Sequence, residues 1–184
     1  ISYVSVFLIR PELILNKALI EMKQSIFRGF IYIIIYLFAS LLPDSAMDLV
    51  GTLPTFILAT AVAVLELRLR YYLLAGILTG VVGIGVSTVI LSLMYNRIII
   101  TYGLSAMTMG LLGVVLMASL INAIKKPGKP IHVLNFLIML YTIYDSIWLL
   151  IPIPPVLIID GFGINRLGHF ISMLAGIIIA IFIT

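Results

Sequence analysis

Residues 103–113 read GLSAMTMGLLG, a serine among glycines and small side chains in a chain otherwise built of aliphatic residues. Ser105 opens an apolar stretch that runs to Lys125, and Gly103, Ala106, Gly110 and Gly113 leave room beside it for another backbone. Serine and small residues are common where transmembrane helices touch, so packing alone could account for the pattern. The same pattern can instead hold a serine against a base on a neighbouring helix. That alternative requires a partner for Ser105.

Composition restricts the candidates. Of 184 residues, 63% are hydrophobic and 10% charged, and mean hydropathy is +1.30. Soluble domains carry about 25% charged residues, so the chain reads as an all-α polytopic membrane protein in one bundle. It has no cysteine, which excludes disulfides, thiolate catalysis and Cys-ligated zinc. With only His132 and His169, a histidine-rich metal centre is not expected, and neither is any cofactor. The net charge of +4 suits loops that face anionic lipid, and nothing suggests nucleic acid. Ile1–Ile9 has no basic region before it, so no cleavable signal peptide is expected.

About 20 apolar residues cross a bilayer as a helix. By that measure six spans are expected near 27–43, 52–67, 71–95, 103–123, 132–152 and 166–184. Residues 1–26 form an N-terminal interfacial or cytoplasmic segment, in which 10–24 has the mixed charge and aliphatic spacing of an amphipathic helix. Turn chemistry separates the spans: PD at 43–44, KKPGKP at 125–130, and IPIPP followed by DGFG at 151–163. In this arrangement Arg10, Lys17, Lys23, Arg28, Arg68, Arg70, Lys125, Lys126 and Lys129 share one side. Arg97 and Arg166 lie opposite with Asp44, Asp48 and Asp160. The positive-inside rule then places both termini in the cytoplasm. The expected location is a prokaryotic plasma membrane.

Ser105 and His169 now fall on one membrane face, each in the first turn or so of its span, whereas His132 lies beside KKPGKP on the other. A serine hydroxyl is a poor nucleophile until a base takes its proton, and imidazole titrates in the useful range. Around His169 the text is GHFISMLAG, with Ser172 and Gly176 on the same helix face as the histidine. Gly110, Gly113, Ser172 and Gly176 are the expected contacts between the two helices.

These stretches resemble a known family. GLSAMTMGLLG is similar to the serine motif of rhomboid intramembrane proteases, Gly-x-Ser-Gly followed by a small-residue helix. GHFISMLAG resembles their last-helix motif, and VLELRLRYYLLAGILTGVVG (64–83) resembles their Glu-x-Arg connection. The likeness covers about residues 50–184 in the family's order, making 27–184 a six-helix rhomboid-like domain. It implies a Ser105–His169 dyad without an acidic third member, in a cavity open to the outside. Ser105 would attack the scissile carbonyl, and His169 would serve as base and then as acid. Backbone N–H groups near Gly103 and Ala106, and the Asn165 side chain, are the candidates for oxyanion support. Substrates would be single-span membrane proteins, and 154–165 a lid with Gly161 and Gly163 as hinges.

The sequence departs from the family at the second span, where a His-x-x-x-Asn pair is usual. Registering on Glu66-x-Arg68 puts Val50 and Pro54 there, and a two-residue shift puts Asp48 and Thr52. Losing one oxyanion donor costs about 3–4 kcal/mol of transition-state stabilisation. The residue after the serine is Ala106 rather than glycine, and PDSAMDLV is shorter than the family's first outer loop. Two other functions therefore stand beside the protease: a catalytically weak or inactive rhomboid-like protein that binds membrane clients, and a small channel, transporter or accessory subunit. Asp145, inside the fifth expected span, bears on the latter. Its structural reading is an interior acid, protonated or bonded to Tyr144 or Ser146, that holds helices together. Glu66 reads as an ion pair or cap with Arg68, Asn165 alternatively as a helix N-cap, and His132 as a solvated loop residue.

Overall fold

The computed structural model describes residues 17, 18, 20, 21, 31, 34, 35, 46–96, 103–159 and 162–184. It is mostly helical. The first expected span, the amphipathic segment and Arg97 fall outside this set, apart from the isolated positions named. Among the described residues, four helices are long and apolar enough to cross a membrane. They belong to α1 (Ala46–Glu66), α2 (Leu69–Met94), α3 (Leu104–Lys125) and α6 (Arg166–Ile183). Between the last two lie α4 (Pro130–Asp145), the single turn α5 (Ile147–Leu150), and a hairpin of β1 (Val156–Ile159) and β2 (Phe162–Asn165).

Helix α3 is the axis of the bundle and packs on α1, α2, α4 and α6. Its burial is 61%, against 28–39% for the other three long helices. Sequence explains why α3 takes the centre: its small residues repeat all round rather than on one stripe. An added Cβ at Gly113 would overlap the Met173 carbonyl, and one at Gly176 would overlap that of Gly110. These obstacles are backbone atoms that cannot rotate away, so α3 and α6 approach closely only as glycine allows. Helix α2 joins by the same means, since a Cβ at Gly83 would strike Ser172 and one at Gly110 would strike Thr79. An apolar cluster that includes Ala59, Tyr72, Leu112 and Met139 fills the space between α1, α2, α3 and α4. Tyr72 also meets the Thr60 hydroxyl at 2.6 Å.

Two expectations about the chain's course change. Residues 46–50, read as part of a connection, are the first turns of α1, and Pro54 sits within that helix. The expected span 132–152 is interrupted: α4 stops at Asp145, Ser146 leaves helical geometry, and Pro152, Pro154 and Pro155 keep the chain extended after α5. At 16 residues, α4 is about 24 Å long, short of a hydrocarbon layer of about 30 Å. Within the connection read as a lid, β1 and β2 pair antiparallel in register from Val156↔Asn165 to Ile159↔Phe162.

Candidate functional site

The N-termini of α3 and α6 lie side by side, and their first turns carry the two residues in question. Gly103 caps α3 with φ 132°, a backbone conformation that side chains resist. Ser105 follows two residues later, half-buried, and His169 is 4% exposed. His169 Nε2 lies 2.9 Å from Ser105 Oγ. In the tautomer that leaves Nε2 unprotonated the hydroxyl donates this bond, and the ring proton resides on Nδ1. Nδ1 is buried and forms no hydrogen bond among the described residues, although the Leu149 backbone is near the ring. The histidine is thus held by packing and by the serine, without an orienting carboxylate.

Ala106 is buried behind the serine, and the first backbone N–H groups of α3 lack intrahelical acceptors, as at any helix start. Asn165 has a defined duty elsewhere. Its Oδ1 accepts from Gly168 N at 2.8 Å as the N-cap of α6, and its Nδ2 donates to Ser87 Oγ at 2.8 Å. The expectation that it supports an oxyanion gives way to the capping alternative, because both ends of the amide are engaged. Val50 is 67% exposed on α1, and Pro54 has no donor, so that register supplies no pair for the serine. Ser172 lies one turn after His169, with its hydroxyl buried and unpartnered among the described residues.

Arg166 secures the neighbouring corner. It is buried, and its Nε donates to the Trp148 carbonyl at 2.6 Å, its Nη1 to that of Ile153 at 3.2 Å, and its Nη2 to Trp148 again. One guanidinium thereby ties the start of the histidine helix to α5 and to the extended segment after it. Elsewhere a groove of about 490 Å³ lies between α1 and α4. Pro54, Leu58, Leu137 and Tyr141 form most of its wall, and Asp145 stands within it. Asp145 is exposed rather than interior, and makes no hydrogen bond or ion pair among the described residues. The expected bonds to Tyr144 or Ser146 are not formed.

The other histidine belongs to a cluster that the sequence reading missed. Glu66, expected to pair with Arg68, is 7% exposed at the end of α1, and its carboxylate is enclosed by amides and imidazole. Asn135 Nδ2 donates to Oε1 at 2.6 Å, and Asn122 Nδ2 to Oε2 at 2.8 Å. His132 Nδ1 reaches both oxygens at 3.0 and 2.9 Å. His132 is therefore a buried residue of α4 rather than a solvated loop residue. The available signal was depth: Glu66 ends one span, Asn122 is near the end of another, and His132 and Asn135 share a face one turn apart. Asn122 lies 17 residues beyond Ser105 on α3, about 26 Å along the axis, so cluster and dyad occupy opposite ends of the bundle.

Comparison with protein-family models, curated proteins and solved structures finds no match.

Proposed function

We propose that the chain is a rhomboid-like intramembrane serine endopeptidase, with Ser105 as nucleophile and His169 as general base and acid. The observation that carries this reading is the 2.9 Å contact between Ser105 Oγ and His169 Nε2. The only serine–imidazole contact that such chemistry needs joins two helices far apart in sequence, at glycine-lined approach. In the proposed reaction His169 Nε2 removes the hydroxyl proton as Oγ bonds to the scissile carbonyl carbon. The resulting imidazolium returns that proton to the leaving amine, freeing it and leaving an acyl-enzyme. Water then repeats the sequence and restores the serine. Negative charge on the carbonyl oxygen would be met by the free N–H groups and positive dipole end of α3.

In this reading the membrane is a prokaryotic plasma membrane, both termini are cytoplasmic, and the dyad faces the extracytoplasmic side. Clients are membrane proteins whose spanning segments unwind near that surface. The β1–β2 hairpin acts as the lid. No metal or cofactor takes part. A second reading, a rhomboid-like protein that binds clients without cutting them, is favoured by one observation: Val50 and Pro54 supply no oxyanion donor.

The test is cleavage in lipid vesicles containing a panel of single-span membrane proteins. New termini inside or beside a span are expected with the wild type and absent with Ser105→Ala and His169→Ala. Fragments that persist in both variants would overturn the protease reading, and clients that co-purify uncut with the wild type would favour the second.

A further inference from the structure

Arg166 is a buried cation with no anion to answer it. It opens α6 at 8% exposed, and among the described residues no carboxylate pairs with it. Its bonds go to backbone carbonyls instead, Nε and Nη2 to Trp148 and Nη1 to Ile153. A buried charge is costlier than an apolar side chain of like volume, so an arginine is a poor space-filler here. What a guanidinium adds is a rigid planar fork that fixes two carbonyls at once, as an ammonium on a flexible stem does not. The segment it fixes needs such a hold. Helix α5 is a single turn, and Pro152 has no N–H with which to close a further turn on Leu149. Among the described residues the Leu149 carbonyl accepts no backbone hydrogen bond.

His169 lies one turn beyond Arg166 on the same helix. Its Nε2 is engaged by Ser105, whereas Nδ1 is buried and makes no hydrogen bond among the described residues. The Leu149 backbone lies near this ring, and the acceptor that a backbone offers is its carbonyl. An open acceptor and an open donor thus stand on the two elements that Arg166 holds together. Hydrogen bonds of this sort are often long in an unliganded site and tighten as the reaction proceeds.

We propose that Arg166 is a positioning residue: by clamping α5 onto the first turn of α6, it holds the Leu149 carbonyl for the Nδ1–H of His169. That acceptor keeps the ring proton on Nδ1 and leaves Nε2 unprotonated toward Ser105. When Nε2 takes the hydroxyl proton, the Nδ1 proton stays on the ring, and its bond to the carbonyl strengthens because the donor is now charged. A backbone carbonyl then orients this imidazole as a carboxylate does in a triad. The effect on rate rests on the protease reading; the tautomer of His169 does not.

The test reads the tautomer by nitrogen-15 NMR of histidine-labelled protein in the Ser105→Ala background, where the serine no longer influences the neutral ring. The His169 signals are identified by their loss on His169→Asn. His169 should be in the Nδ1–H form. Adding Arg166→Met should give a mixture of both tautomers, and Arg166→Lys, which does not span both carbonyls, should fall between. An ester in place of the Leu149–Leu150 amide, made with leucic acid at position 150, weakens the acceptor and leaves Arg166 in place. It should mix the tautomers likewise, and it decides the matter if Arg166→Met fails to fold. With Ser105 intact, Arg166→Met and the ester should each slow labelling by a fluorophosphonate about tenfold to a hundredfold. An Nε2–H tautomer in Ser105→Ala, or an Nδ1–H tautomer that survives both replacements, would overturn the proposal. The expected tautomers in a wild type that takes no fluorophosphonate would uphold this placement and remove the protease reading alone.

Discussion

The two histidines of this chain sit at opposite ends of one bundle and meet opposite kinds of company. His132 shares the Glu66 carboxylate with Asn122 and Asn135, and three helices contribute to the arrangement. His169 has one side-chain partner, a serine, and a buried Nδ1 without a hydrogen bond among the described residues. A buried polar group is costly unless its hydrogen bonds are made. The Glu66 cluster meets that requirement, and the outcome is a fixed junction of α1, α3 and α4. The Ser105–His169 pair meets it only in part, and retains an imidazole nitrogen next to a hydroxyl. The Glu66 end is saturated, and the Ser105–His169 end, to which the proposed reading assigns the chemistry, is not.

Substitutions at four positions would break or sharpen this contrast, and their effects on stability should descend in order. Glu66→Ala strands an imidazole and two amides inside the bundle, and should cost about 3 kcal/mol in reversible unfolding from mixed micelles. A loss under 1 kcal/mol would mean that the cluster is not the junction described. Gly176→Ala pushes a Cβ into the Gly110 carbonyl, so α6 must move off α3; about 1–3 kcal/mol is expected. The dyad should suffer with it, because both residues ride on these helices. Asn165→Ala removes the α6 cap and the bond to Ser87, for about 1 kcal/mol, and Asn165→Asp should recover most of it by keeping the cap. Ser105→Ala loses one exchangeable hydrogen bond and should change stability by about 0.5 kcal/mol or less. A large loss there would place Ser105 among the structural residues and erase the contrast.

How much of this could be read from the chain itself depended on the kind of signal. Periodicity and length revealed α2, α3 and α6 to within a few residues, because a membrane span is specified by an uninterrupted apolar run. The break after Asp145 was harder to see, since the prolines that end the fifth expected span lie seven or more residues downstream of the last helical residue of α4. Small residues on α3 and α6 pointed to a close approach, and glycine carries that information directly: nothing larger fits. Ser105 and His169 could be matched by sidedness, given only two histidines in the chain. Glu66 misled because Arg68 is its neighbour in sequence, while its partners are 56 to 69 residues away in space-filling company that only the bundle assembles. Asp145 misled in the other direction: a lone acid in an apolar run suggests an interior position, yet the helix end and the groove leave it exposed.

The central claim is that His169 activates Ser105, and the rate of serine phosphonylation measures it most directly. With a fluorophosphonate at neutral pH, the wild type should acquire one adduct, located by mass spectrometry on Ser105. His169→Asn, folded to the same extent, should react at least about a hundredfold more slowly, within the range that general base catalysis supplies. An adduct on another residue, or equal rates in the two proteins, would contradict the account.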